Sequence, residues 1–204
     1  IFNQYRYCVQ RSTRYMFNEG QLGQSNGTGF TKLKDYIDSK ALFDVNVNTA
    51  ELIDKFFDGY FMDAAEPMRE YFNELQTYLT YLQDEYSNVL TGSIYEAISK
   101  TESGSLMFWK KKTMTGYMEY IDRAYAAIEK YKATDMSLYN ALYDNITIES
   151  LFPRYVLCRY YDGTFSPDEV TAMRKAFKND CVRFGNLYER EHDFMSALYA
   201  SWGV

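Results

Sequence analysis

Proline occurs only three times among the 204 residues, and this scarcity restricts the fold more than any other feature. Proline breaks helix interiors because it lacks an amide hydrogen and its ring collides with the preceding turn. A chain with so few breakers can form long helices. From Phe30 onward, apolar side chains recur at the spacing of one helical face, as they do at Leu33, Ile37 and Ala41. The sequence therefore predicts a mostly helical chain.

Three segments carry the residues that typically open a helix, at positions 48–51, 63–67 and 166–169. In each, a short polar side chain is followed three positions later by a glutamate, which predicts a capping box. Proline stands in the first turn of the second and third segments, where its missing amide hydrogen costs little. These signals predict where three of the helices begin.

Two further predictions concern the last third of the chain. One helix begins after Thr134 or Asp135, and Pro153 is predicted to kink or restart it. The final helix is predicted to run from Pro167 through Leu198, because apolar residues continue at helical spacing over this range.

A short apolar run with two aromatic residues, from Tyr15 to Phe17, predicts one buried strand. No second segment predicts a strand. The predicted fold class is therefore all-α: a multi-helix, mostly antiparallel bundle of five to seven helices, with at most one short residual strand near residues 14–18.

Composition excludes several classes of function. The net charge of −6, from 22 basic and 28 acidic residues, argues against a nucleic-acid partner. No stretch approaches the roughly 18 apolar residues of a membrane span. His192 is the only histidine, and the three cysteines lie far apart, so no metal site is predicted. The glycine-rich segment 20–29 departs from both common phosphate-binding patterns, so we predict no cofactor.

The start of the sequence predicts that the chain is a fragment of a larger protein. It opens at Ile1, and residues 1–11 already show helical spacing without a capping residue before them.

Three sequence elements follow one another between residues 33 and 72: LKxYIxxKxLxDxN at 33–46, LIxxFFxGY at 52–60 and AAxxMxxYF at 64–72. With the strand-like run before them, they resemble a family first catalogued as a domain of unknown function. That family is similar to glycoside hydrolases such as alpha-glucuronidases and includes endo-beta-N-acetylglucosaminidases. The chain departs from it at 61–63, where Phe-Met-Asp replaces a common Tyr-Gly pair.

The resemblance implies two parts: residues 1–29, a remnant of the end of a (β/α) barrel, and residues 30–204, a C-terminal helical domain. Active sites of such barrels lie at the carboxyl ends of the strands. Asn18, Glu19 and Gln21 are therefore expected at the substrate site, while the catalytic residues stay unassigned. For Glu19 three roles stay open: one of the two carboxyl groups of a glycosidase, a contact to a sugar hydroxyl, or a solvent-exposed acid of the loop.

Trp109 is a further candidate for substrate binding, because it stands beside Phe108 and ahead of the three lysines 110–112. Its indole could stack on a sugar ring. The alternative is an aromatic plug beneath a loop, with the lysines in solvent.

Two hypotheses for function follow. In the first, the chain is the C-terminal helical fragment of a carbohydrate-active, glycoside-hydrolase-like protein; it supports the catalytic barrel, which is its partner, and is inactive by itself. In the second, it is a helical glycan-binding or protein-interaction module with no enzymatic parent. The resemblance implies a periplasmic, cell-surface or secreted location, with a glycan as a further partner.

Overall fold

The computed structural model describes residues 2–15, 29–86, 106, 108–190 and 193–204. Most of these residues are helical, and the predicted all-α, multi-helix fold is confirmed. In chain order the elements are α1 (Phe2–Gln10), α2 (Thr31–Phe43), α3 (Thr49–Tyr60), α4 (Ala65–Tyr86), α5 (Lys111–Ile128), α6 (Tyr131–Thr134), α7 (Met136–Tyr160), α8 (Pro167–Phe184), β1 (Tyr188–Arg190), β2 (Asp193–Phe194) and α9 (Met195–Ser201). Within these described segments, every helix is too short or too polar to cross a bilayer.

The starts of α3 and α8 confirm two predicted caps. The Asn48 side chain accepts hydrogen bonds from amides in the first turn of α3. Ser166 and Glu169 exchange both hydrogen bonds of a full capping box at the start of α8. The box at Asn48 is not reciprocal, however, because the Glu51 carboxylate pairs with Lys55 at 2.6 Å instead.

The predicted capping box at residues 63–67 is wrong. Asp63 lies inside a 3₁₀ turn, Met62–Ala64, that leads directly into α4. Its carboxylate accepts a hydrogen bond from the Tyr131 hydroxyl and pairs with the Lys130 ammonium at 2.9 Å. The side chain thus connects two distant segments of the bundle.

The helix α7 continues through Pro153, so of the two predicted outcomes the restart is wrong, while the kink stays a prediction. A proline leaves the carbonyl group four residues before it without an intrahelical donor. That carbonyl belongs to Glu149, and the Tyr71 hydroxyl of α4 lies 3.5 Å from its oxygen. A neighbouring helix thus supplies a donor at the interrupted position.

The predicted final helix is interrupted by a hairpin. Helix α8 ends at Phe184, and Gly185 then adopts a left-handed conformation with φ of 71°. Strands β1 and β2 pair antiparallel, with Tyr188 opposite Phe194, before α9 begins. These strands contain three and two residues, so the all-α class stands. The strand predicted near residues 14–18 is not formed at its described residues, 14 and 15, and its remainder lies outside the described part.

Two buried apolar clusters hold the helices together, and α7 contributes to both. The main core joins α2, α3, α4, α5 and α7, and its largest fully buried side chains include Phe57, Phe61, Met68, Tyr71, Tyr117, Ile121 and Ile146. The second cluster joins α7, α8 and α9 through residues that include Ile148, Leu151, Phe177, Cys181, Met195 and Leu198. Helix α7 is therefore the central element of the fold.

Candidate functional site at the start of the second helix

Three of the predicted substrate contacts, Asn18, Glu19 and Gln21, lie outside the described residues. Their role as contacts stays a prediction. The described residue nearest to them along the chain on the C-terminal side is Gly29, at the start of α2. Segment 16–28, which carries the three residues, therefore rejoins the described chain at the start of α2.

Trp109, the fourth predicted contact, lies in the main core, where its side chain is only 6 % exposed. Its indole packs against Tyr78, with 5.6 Å between ring centroids, and edge-on against Phe152 at 4.9 Å. This placement agrees with the alternative of an aromatic plug. A substrate contact by Trp109 stays a prediction, and in this conformation the ring face is not at the surface.

A buried carboxyl group on α7 anchors the start of α2. Glu149 is 1 % exposed, and its Oε2 accepts a hydrogen bond of 2.7 Å from the backbone amide of Phe30. Gly29 and Phe30 both have positive φ, 76° and 60°. The left-handed conformation is unfavourable for a residue with a Cβ atom. The carboxyl group therefore stabilises a backbone turn that Phe30 would not adopt readily by itself.

The Phe30 ring is fixed as well as its amide. It lies 5.7 Å from Phe57, 5.3 Å from Tyr71 and 5.1 Å from Phe72, measured between ring centroids. Aromatic pairs at such separations add to the free energy gained from burial. The ring and the amide together attach the start of α2 to three helices.

Burial also changes the proton affinity of this site. Desolvation raises the pKa of Glu149 to about 8, while hydrogen bonds from the Phe30 and Gly29 amides act in the opposite direction. Burial, with a smaller contribution from Glu149, raises the pKa of Tyr60 to about 12. With this raised pKa the carboxyl group stays mostly protonated at neutral pH. Its role here is to position the backbone.

A second polar group of side chains on α7 connects it to α5 and α8. The hydroxyls of Tyr125 and Thr147 lie 2.8 Å apart, which joins α5 to α7. Arg154 donates to Ser150 at 3.3 Å and pairs with Asp180 of α8 at 2.7 Å. These bonds satisfy polar groups inside the protein, which is a structural role.

Two of the three cysteines lie in the core, whereas Cys8 is half-buried. Cys158 and Cys181 are buried free thiols, and burial raises the pKa of each to about 11. Such thiols are poor nucleophiles, because the thiolate is the reactive form. Among the described residues, no group of histidine, cysteine, aspartate and glutamate side chains is arranged to hold a metal ion.

Sequence reasoning missed Glu149, although a signal was present. Leu142, Ile146, Glu149 and Pro153 recur at the spacing of one helical face, and the structure buries all four. An acidic residue at a core position of such a stripe indicates a buried carboxyl group with a specific partner. That partner, the amide of Phe30, is 119 positions away in the sequence.

The amino-terminal third of the chain has a recognised counterpart. Residues 1–73 match DUF4838, a domain of unknown function. The elements between residues 33 and 72 lie within the DUF4838 match, so the predicted resemblance to a domain of unknown function is confirmed. No curated protein and no solved structure matches the chain.

The DUF4838 match ends inside α4, while the packing continues well beyond it. Besides the bond from Phe30 to Glu149, the amide side chain of Asn145 donates to the Tyr60 carbonyl at 2.8 Å. The ion pair of Asp63 with Lys130 adds a third connection. The matched segment and the helices outside it therefore share one core.

Proposed function

We propose that this chain is the helical support domain of a carbohydrate-active, glycoside-hydrolase-like protein. Residues 1–29 form the end of a catalytic barrel, and residues 30–204 hold that end in place. The chain does not catalyse by itself. The observation that carries the proposal is the hydrogen bond from Phe30 to Glu149, which ties the family-matched segment to a helix outside the match.

Contacts on both sides of segment 16–28 support this role. On one side, Arg6 of α1 donates from Nε to the Val45 carbonyl at 2.9 Å, just beyond the end of α2. On the other side, Glu149 holds Phe30. Helix α1, before this segment, and the turn at Phe30, after it, are thus both attached to the bundle. Such attachment is what we expect of a domain that supports the barrel.

The proposal is tested by comparing this chain with the longest product of its gene. Both are assayed for hydrolysis of a panel of aryl glycosides and for release of reducing sugar from neutral oligosaccharides. We expect activity from the longer product and none from the chain. Hydrolysis by the chain alone, or a gene product without a barrel, would contradict the proposal.

A second candidate is a protein-interaction or glycan-binding module without an enzymatic parent. Exposed apolar side chains at the end of α2 favour its protein-interaction form, since Leu42 is exposed and Phe43 is 94 % exposed. The gene sequence separates the two candidates. Light scattering of the purified chain then reports whether this surface associates with a second copy.

A further inference from the structure

Helix α2 begins without the residues that usually stabilise the start of a helix. Its N-cap residue is Phe30, whose side chain cannot accept a hydrogen bond from the first turn. That turn holds Lys32 and Lys34 and no acidic residue, although the amino end of a helix favours negative charge. Helices α3 and α8, by contrast, begin at capping side chains. The start of α2 is therefore weak by its own sequence.

A carboxyl group from another helix takes the place of the missing cap. The Glu149 side chain of α7 accepts hydrogen bonds from the backbone amides of Gly29 and Phe30, the second at 2.7 Å. Both donors lie in a turn with positive φ, which is unfavourable for Phe30 by itself. One side chain thus holds both a strained turn and an uncapped helix start.

The tyrosines that surround Glu149 carry no charge near neutral pH. On α3 and α4 these are Tyr60 and Tyr71, and burial raises the pKa of both hydroxyls. On α5, Tyr125 has a pKa raised to about 12 by burial, and its hydroxyl lies 2.8 Å from that of Thr147. Ionisation of these groups therefore does not contribute to changes at Glu149 below about pH 8.

The charged groups on the neighbouring helices are engaged elsewhere or exposed. Arg154, the cation nearest to Glu149 along α7, pairs with Asp180 of α8 at 2.7 Å. On α2, Lys34 is exposed and Lys32 is half-buried. Burial and the two backbone amides, rather than these cations, set the pKa of Glu149. Since a buried carboxylate is costly unless its charge is balanced, the neutral form is favoured while the turn covers it.

The turn at Gly29 and Phe30 is the part of this covering that can move at the lowest cost. Tyr71 is fully buried in the main core, so a movement of α4 would open that core. The turn contributes one ring, that of Phe30, and its backbone is strained. Local opening selects segments of low intrinsic stability. Movement of the turn would give the carboxylate access to water while the remaining helices stay packed.

We propose that Gly29, Phe30 and Glu149 form a pH-sensitive latch, which holds the start of α2 closed at acidic pH and releases it progressively as the pH rises. The latch is closed while the carboxyl group keeps its proton. When the turn moves away, the proton passes to water and the carboxylate becomes hydrated. The latch is a property of the bundle itself and does not depend on the proposed barrel.

The test is amide hydrogen exchange of this chain, measured by NMR as a function of pH. Between the ordinary pKa of 4.5 and the raised value of about 8, the open state releases a proton that the closed state keeps. We correct the rates for the direct effect of pH on exchange chemistry. The protection of Phe30 and the first turn of α2 should then fall about tenfold per pH unit from about pH 5.5 to about pH 7.5. Constant protection over this range would overturn the proposal.

A second comparison distinguishes release of α2 from unfolding of the whole chain, which also exposes Glu149. At about pH 7.5, the amides of Phe30 and the first turn should exchange at least about tenfold faster than the slowest amides of α7. Equal rates in the two sets would mean that only complete unfolding frees the carboxyl group. That result would equally overturn the proposal.

Variants assign the response to one side chain. Glu149→Gln keeps an acceptor for the Phe30 amide but cannot ionise, so the protection of α2 should no longer change with pH. Asp38→Asn is the matched control, because it removes another buried carboxyl group, on α2 itself, and should keep the wild-type dependence. Persistence of the dependence in Glu149→Gln, or its loss in Asp38→Asn, would contradict the assignment. The wild-type profile remains decisive if a variant fails to fold.

Discussion

The backbone amide of Phe30 donates a hydrogen bond of 2.7 Å to the Oε2 of Glu149, and this bond joins the start of α2 to the centre of α7. Both residues are buried. A buried donor left without an acceptor is costly, so the two ends of the bond depend on each other. Through this bond the family-matched segment depends on a helix that lies outside the match.

The buried carboxyl group predicts a specific dependence of stability on pH. The pKa of Glu149 is about 8 in the folded protein, against an ordinary value of 4.5. Between these values the unfolded chain releases the proton while the folded protein keeps it. The free energy of unfolding should therefore fall by about 1.4 kcal/mol per pH unit as the pH rises through this window, and level off above it.

Urea unfolding of the wild type and of Glu149→Gln, from about pH 5 to about pH 9, isolates this contribution. The glutamine keeps an acceptor for Phe30 but cannot ionise. The difference in unfolding free energy between the two proteins should shift in favour of the variant as the pH rises. A difference that stays constant with pH would show that Glu149 titrates normally.

Two tyrosines in ring contact are predicted to respond in opposite ways to loss of their hydroxyls. Tyr71 and Tyr117 lie 4.9 Å apart. The Tyr117 hydroxyl is buried with no partner in the described part of the chain, so Tyr117→Phe should stabilise the protein by about 1 kcal/mol. Tyr71→Phe removes the donor at the Glu149 carbonyl and should destabilise it by a similar amount. Thermal unfolding of both variants measures the two changes in stability. Equal changes would contradict the roles assigned to the two hydroxyls.

A third prediction concerns the cap of α8. Ser166→Ala removes the side-chain acceptor at the start of this helix and should lower the unfolding free energy by about 1 kcal/mol. Ser39→Ala is the control, since among the described residues that hydroxyl bonds only to a carbonyl within α2, and it lies at the surface. Chemical denaturation should show a clear loss in the first variant and little change in the second. Equal losses would count against the cap.

Thiol reactivity provides a fourth prediction. Cys8 is half-buried, whereas Cys158 and Cys181 are buried and their thiols have raised pKa values. A disulfide reagent such as dithionitrobenzoate should modify one thiol quickly in the native protein and all three in denaturant. Cys8→Ser should abolish the fast phase. A fast phase that persists in this variant would mean that a core thiol is accessible.

Local patterns in the sequence predicted the features that depend on neighbouring residues. The caps at Asn48 and Ser166 and the helical class follow from residues within a few positions of one another. The predictions failed where contacts between residues far apart in the sequence determine the local structure. Asp63 bonds to residues near position 130, and α7 passes through Pro153 with the hydroxyl of Tyr71 beside the interrupted carbonyl.

The candidate site was harder to predict for the same reason. Glu149 occupies a core position in a helical stripe, but its partner Phe30 comes from a segment far away in the chain. Trp109 lies in a sequence typical of a sugar-stacking site. Its burial depends on ring contacts with Tyr78 and Phe152, which are distant in the sequence. The interruption after Gly185 was also missed, because apolar residues continue at helical spacing through a short hairpin.

The most direct test of the central claim is hydrogen exchange at the amide of Phe30 and across α2. The claim is that Glu149 holds the family-matched segment against the helices outside it. In Glu149→Ala, these amides should exchange at least about tenfold faster than in the wild type, while the amides of α8 keep their protection. Unchanged protection of Phe30 and α2 in a folded Glu149→Ala protein would contradict the account.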